Sequence, residues 1–385
     1  MRPRHDEGEL LIAMLPHPPL WLVLVAFICA LGPLVFFHEL GHYLVARLFG
    51  IPAETFSIGF GRELVGWTDR QGTRWKIAWL PLGGYVKFVG DMGPASEPGD
   101  LEKIPAHLRE RAFRLRPVWQ RFLVVLAGPL ANFLLAIAIF ATFFATVGAP
   151  TSSVVGAISP DSPAARAGIQ PGDRIVSLAG RPTPTFPDLF NATAVRPGET
   201  VVVEVERQGT TTRLRVTLGS TTLETANGQK IQRGMLGIGA NRSALKPIPV
   251  IEAIPAAVDQ TFRLTGAIVD GLGQMIRGYV SPKQIGGPIS IARIAGDVAT
   301  VGPLEFIGLL ALLSINLGFI NLLPVPMLDG GHLFFYVVEA VRRRPISVAT
   351  LDWAFRGGLA LILALLLFAT GNDLGLWNKL ERLIG

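Results

Sequence analysis

Long apolar runs separated by basic or β-patterned stretches set the layout of this chain. Leu20–Phe37 is apolar over 18 residues, Phe122–Val147 is uncharged over 26, and Phe306–Leu323 is apolar over 18. A fourth run, Gly357–Asn372, is shorter, and Arg356 at its edge can snorkel. A bilayer core takes about 20 apolar residues, with a range near 17–25. The pattern therefore predicts about four membrane-crossing helices. A cleaved signal peptide fits the first run poorly, because no small-residue cleavage site follows it.

Between the runs the period changes. Glu54–Phe60, Leu64–Thr68, Thr73–Trp79 and Tyr85–Val89 read as strands, with Asp69–Gly72 as a turn, and predict a small sheet just after the first span. Asp91–Arg116 is polar and mixed in charge, a linker or a surface helix. Residues 151–220 alternate as a separate β-rich module. Ile254–Tyr279 spaces Asp259, Arg263, Asp270 and Arg277 along an amphipathic helix, which either lies on the membrane surface or packs on the module.

Composition agrees with the pattern. Half of the 385 residues are hydrophobic and 17% are charged, against about 25% in soluble domains. Eleven Lys/Arg fall between Arg47 and Arg116, and Arg342–Arg344 with Arg356 form a second basic cluster. Basic loops face the cytoplasm, which places both termini and residues 148–303 outside. The net charge of +6 needs no nucleic acid to explain it. Cys29 is the only cysteine, so there is no internal disulfide and no cysteine metal site.

The first run ends in chemistry. Val35–Leu44 reads VFFHELGHYL, and ionisable groups at membrane depth are costly and mark function. His38 and His42, four residues apart, share one face of a helix, while Glu39 points about 100° away. This His-Glu-x-x-His spacing lets both imidazoles reach one Zn2+ and leaves the glutamate for a water. With six histidines in the chain, about 0.004 accidental matches are expected. The bland alternative is a pair of polar groups satisfied at a helix end.

A catalytic zinc takes three protein ligands. His5 and His17 precede the first span on the outer side, and His107 lies in the polar linker. Asn321–His332, NLLPVPMLDGGH, ends the third span, which runs in the same direction as the first and so arrives at the same depth. Asp329 and His332 are both candidates there. Asp329 would otherwise pair with an arginine at the membrane edge, and His332 would otherwise cap or pack.

HELGH at 38–42, GFG at 59–61, PLGGYVKF at 81–88, AGPLANF at 127–133 and NLLPVPMLDGG at 321–331 follow one another over nearly the whole chain. Together they resemble the site-2 protease family of intramembrane zinc metalloproteases, in its bacterial regulator-of-sigma-E-protease type. SPAARAG at 162–168, PGDRIVS at 171–177 and the strands Val201–Glu206 and Thr212–Leu218 resemble a bacterial PDZ domain. Gly234–Ile238, GMLGI, resembles that domain's ligand loop displaced to the end of the module, as in a circular permutation.

The resemblance implies a polytopic α-helical membrane protein with about four transmembrane helices, a small cytoplasmic-side membrane-associated β-sheet and one extracytoplasmic PDZ-like α+β domain. The segments are 1–53 (tail and first helix), 54–118 (sheet and loop), 119–148 (second helix), 149–245 (PDZ-like domain), 246–303 (amphipathic connection), 304–345 (third helix with LDG) and 346–385 (fourth helix and tail). It implies His38, His42 and Asp329 as Zn2+ ligands and Glu39 as catalytic base. Asn321, Pro324 and Pro326 would help accommodate substrate, and Gly59, Phe60 and Gly61 belong to the sheet that pairs with an unwound substrate strand. The implied partners are single-span membrane proteins (trimmed anti-sigma factors or remnant signal peptides), the lipid bilayer, and a peptide or substrate tail at the PDZ-like domain. The implied location is the bacterial cytoplasmic (inner) membrane. Better-known members carry two PDZ domains, whereas here 219–250 is too short for a second. A non-catalytic membrane adaptor that binds peptides is the rival class, and binding alone needs no general base such as Glu39.

Overall fold

The computed structural model describes residues 18–90, 106–150, 153–224, 230–240, 245–276 and 286–376. His5 and His17, residues 91–105 of the polar linker, and Arg277–Tyr279 at the end of the expected amphipathic helix lie outside the described residues. The chain divides into two compact units, residues 1–139 with 264–373 and residues 140–263 with 374–385.

Among the described residues, four helices are long and apolar enough to cross a membrane. They are α1 (Leu20–Leu48), α2 (Val118–Thr146), α7 (Pro303–Asn321) and α9 (Val348–Asp373). α1 does not stop where its apolar run stops; it continues through His38-Glu39-Leu40-Gly41-His42 to Leu48. Buried polar side chains with partners do not interrupt a helix, because the backbone ladder is complete without them. Beyond Leu48, Ile51 N–H returns to Ala46 O at 2.9 Å, and Gly50 O accepts from Arg111 Nε at 3.1 Å. α7 ends at Asn321, short of the expected Leu323, and Pro324 has no N–H with which to carry a helix on.

The four predicted strands are drawn into two long bent ones, β1 (Ala53–Thr68) and β2 (Arg74–Phe88). Gly59 and Gly61, both at φ +87°, let β1 turn at Phe60 without ending. The bend places Thr55–Ile58 between the two halves of β2, matched to Lys87–Gly84 on one side and Arg74–Ile77 on the other. Glu63–Thr68 then pairs back on Arg74–Ala78. Among the described residues, Gly84–Lys87 has a strand partner on one edge only.

The hairpin turn is pinned to α1. Asp69 accepts from Tyr43 Oη at 3.1 Å, Trp75 Nε1 at 3.0 Å and the Gln71 and Thr73 amides. Burial alone would raise the Asp69 carboxyl, but these donors hold it below the usual carboxylate range.

Two helices follow that the apolar pattern leaves unannounced. α6 (Pro288–Val301) packs on α1, burying Ala295 beside Ala26 and Ala30. Its first turn is capped from the far end of α9. The Asp373 carboxylate accepts from Gly287 N–H (2.9 Å), Ile289 N–H (3.0 Å), Ser290 N–H (3.1 Å) and Ser290 Oγ (2.5 Å). α8 (Asp329–Arg342) is separated from α7 by the proline turn, in which Met327 sits in the left-handed region at φ +81°. Such strain collects at functional sites.

The second unit holds the β-rich module. Its elements are β3 (Val155–Ile158), α3 (Pro163–Arg166), β4 (Arg174–Leu178), α4 (Phe186–Ala194), β5 (Thr200–Arg207), β6 (Thr210–Thr217), β7 (Gly219–Glu224), β8 (Lys230–Met235) and β9 (Ile238–Ala240). Ser162 caps α3, and Thr185 with Asp188 forms a capping box on α4. β4, β5 and β6 are neighbours in one antiparallel sheet, and β9 pairs back on β3. Alternation along β5 turns Val201, Val203 and Val205 into a core with Ile175, Leu178, Leu189 and Leu218. Arg207 holds Asp173 through a two-oxygen contact at 2.8 Å, keeping the carboxyl below its usual range against the opposing effect of burial. Within 246–303, α5 (Val250–Ile276) covers most of the expected amphipathic segment.

Candidate metal centre

One face of α1 and the first residue of α8 make the centre. His38, Glu39 and His42 are each 8–9% exposed. Asp329 Oδ2 lies 3.1 Å from His38 Nε2 and 3.5 Å from His42 Nε2, and the two Nε2 atoms are 3.3 Å apart. These three side chains form the one group of metal-ligand type found among the described residues.

The spacing fits a metal. Zn–N and Zn–O bonds of about 2.0–2.1 Å in a tetrahedron require donors about 3.4 Å apart, which the three distances bracket. Asp329 Oδ2 is also buried with no conventional hydrogen-bond partner, a position that favours a cation. His332, one turn further on, stands outside this group. Its ring packs 5.0 Å from Phe355 and 6.4 Å from Tyr336.

Two residues of α2 set the imidazoles. His42 Nδ1 meets Val124 O at 2.9 Å, so that nitrogen carries the proton and Nε2 is left free to ligate. His38 Nδ1 faces the Asn132 amide at 3.1 Å, while Asn132 Oδ1 is left buried and unpartnered. Exchanging the amide O and N, which are indistinguishable by shape, turns an acceptor toward His38. Oδ1 then accepts from His38 Nδ1–H and frees His38 Nε2 for the metal. Asn132 is itself anchored, since its carbonyl accepts from Ser314 Oγ of α7 at 2.7 Å. Gly128, one turn before Asn132, must be glycine, because a Cβ there would overlap the His42 ring.

Asn132 and Gly128 lie in AGPLANF, where residue-by-residue reading assigned no role. Their spacing of four, which puts both on one helix face, was the available signal. Glu39 points away from its neighbours toward β2. Val86 N–H is within hydrogen-bonding reach of its carboxylate, and Gly84 packs against it.

The structure places the other expected residues as follows. Gly59, Phe60 and Gly61 form the bend of β1, with the Phe60 ring stacked 5.9 Å from Tyr85. Asn321 is the last residue of α7, and Pro324 and Pro326 lie in the turn that delivers Asp329.

A multi-pass membrane protein with a His-His-carboxylate centre and an adjacent glutamate on its first apolar helix is, by class, a membrane-embedded metallohydrolase. Comparison with known families makes this specific: the model of Peptidase family M50 matches residues 26–365, and the chain belongs to that family of site-2 proteases. A protein of Rhizobium meliloti (strain 1021) named "Putative zinc metalloprotease R01501" is 45% identical, across 90% of this chain and 95% of the relative. "Metalloprotease MmpA" of Caulobacter vibrioides is 38% identical over 94% of this chain and 98% of its own length. A relative from Agrobacterium fabrum, "Putative zinc metalloprotease Atu1380", is 42% identical over 94% of this chain and 96% of its length. The protein is a zinc metalloprotease of the membrane.

Proposed function

We propose that this protease hydrolyses a peptide bond in or near the transmembrane segment of single-span membrane proteins already trimmed outside, such as anti-sigma factors or remnant signal peptides. This is regulated intramembrane proteolysis. The observation that carries the reading is the placement of His38, Glu39 and His42, closed by Asp329, on a helix long and apolar enough to cross a membrane. A metal centre at that depth reaches peptides that are themselves in the bilayer.

In this reading His38, His42 and Asp329 hold the zinc. Zinc, when bound, supplies a Lewis acid and brings the pKa of water toward ~7. Glu39 takes the proton from the attacking water and passes it to the leaving amine. A helical substrate hides its carbonyls in its own hydrogen bonds, so it must unwind first. The Gly84–Lys87 edge runs past Glu39 and offers replacement hydrogen bonds to an extended strand. Asn321, Pro324 and Pro326 shape the opposite approach, beside Asp329. Residues 149–245 act as a circularly permuted PDZ-like domain, which the pairing of β9 with β3 supports by joining the module's end to its start. That domain and residues 148–303 lie outside the bacterial inner membrane, and the two basic loops lie inside.

The first test is cleavage of a trimmed single-span substrate by purified protein, wild type against Glu39→Gln, with zinc measured in both. Loss of at least about 100-fold in rate with zinc retained is expected. Retained zinc with no cleavage by either protein, over several substrates, would favour an adaptor. The PDZ-like domain is tested by deleting 151–220: the deletion should cut untrimmed substrate nearly as fast as trimmed, and unchanged discrimination removes the gating role.

A further inference from the structure

In the first unit, the first turns of α2 and the second half of α8 frame an open groove of about 530 Å3. Its walls are apolar, with Trp119, Phe122 and Leu123 of α2 facing Tyr336, Val337 and Ala340 of α8. Trp119 is 56% exposed and Val337 50% exposed, so the described chain leaves both walls uncovered. Within the wall, Arg121 lies 4.9 Å from the Tyr336 ring and pairs with Glu339 at 2.8 Å, which neutralises that carboxylate.

The charge left at this level is positive. Arg114 and Arg116 precede α2, and Arg342, Arg343 and Arg344 are exposed at the end of α8. Arg343 and Arg344 follow Ala340, the last groove residue of α8, by three and four positions, just past the helix end at Arg342, where Arg343 takes the left-handed region at φ +53°. A tryptophan at the end of an apolar helix marks the bilayer interface. An apolar groove that opens onto arginines at that level matches the two halves of one molecule, an acyl chain and an anionic headgroup.

We propose that this groove binds an anionic phospholipid, with its acyl chain between α2 and α8 and its phosphate against Arg343 and Arg344. A substrate helix suits the place less well. The basic side of a membrane span is flanked by Lys and Arg, which the arginine cluster repels. The occupant would brace α8, whose first residue is Asp329, so lipid composition would bear on the position of that carboxylate.

Full-length protein in detergent is titrated with phosphatidylglycerol or phosphatidylcholine and read by native mass spectrometry, beside Arg343→Gln/Arg344→Gln and Ala340→Phe. Wild type should retain phosphatidylglycerol at least about fivefold over phosphatidylcholine, given roughly that factor per basic residue at the surface. The double glutamine variant should lose the preference with its zinc content unchanged. Ala340→Phe, which fills the groove and keeps the arginines, should lower phosphatidylglycerol retention. Equal retention of the two lipids by wild type, or a preference that survives either variant, overturns the proposal. So does a photoreactive group at residue 337 that captures a single-span peptide in preference to lipid in phosphatidylglycerol vesicles.

Discussion

At the residue scale, three donor atoms from two distant parts of the chain meet within 3.1–3.5 Å, and each imidazole is oriented by a partner on α2. Removing a donor should empty the site, whereas removing a group outside it should not. Zinc content is therefore expected to fall in His38→Ala and Asp329→Ala and to persist in His332→Ala. The reverse pattern for the last two would make His332 the third ligand. In the same assay, Asn132→Leu should weaken zinc binding about 10–100-fold, as loss of an orienting group does. Asn132→Asp should restore much of it, because a carboxylate still accepts from His38 Nδ1–H. His38, Glu39 and His42 were legible in the sequence because helix geometry alone puts residues four apart on one face. Spacing alone left Asp329 and His332 both open, since residues three apart share a helix face; the resemblance implied Asp329, and the packing of α8 brings that carboxylate to the two imidazoles.

At the element scale, the spans were readable and their ends were not. Apolar length predicts a crossing helix, yet α1 runs on to Leu48 because partnered polar groups cost the backbone nothing. β1 and β2 illustrate the converse. Turn residues that ordinarily end strands here only bend them, and the resulting pairing of Thr55–Ile58 with both halves of β2 is a long-range outcome. The cap on α6 is another. Four donors at its N-terminus are answered by Asp373, which is 2% exposed and more than eighty residues away. Asp373→Ala strands those donors in a buried place, at a cost of about 2 kcal/mol. The apparent melting midpoint of the detergent-solubilised protein should fall by roughly 5 °C. A midpoint unchanged within a degree would mean that water replaces the carboxylate.

At the scale of the whole molecule, the two units have separate cores, one around Phe56 and Leu333 and one around Val203 and Ile175. Damage to the second core should therefore spare the metal. Asp173, held below the ordinary carboxylate range by Arg207, contributes stability that is complete above about pH 4. That contribution is lost as pH falls through the folded value. Asp173→Asn should raise amide exchange in β4, β5 and β6 several-fold at pH 7, blunt the loosening of those strands by acid, and leave zinc content unchanged. Zinc loss in this variant would show that the units are coupled.

The sequence by itself determined what each segment is made for: which runs enter lipid, which alternate as strands, and which helix face carries two imidazoles. Those properties are local, set by side-chain periodicity and by apolar length. Only the tertiary structure decided how the Asp329 carboxylate is brought to the two imidazoles, which amide sets the His38 tautomer, and which helix end caps α6. Each of these depends on contacts between residues far apart in sequence, where the geometry of packing selects among chemically equivalent candidates.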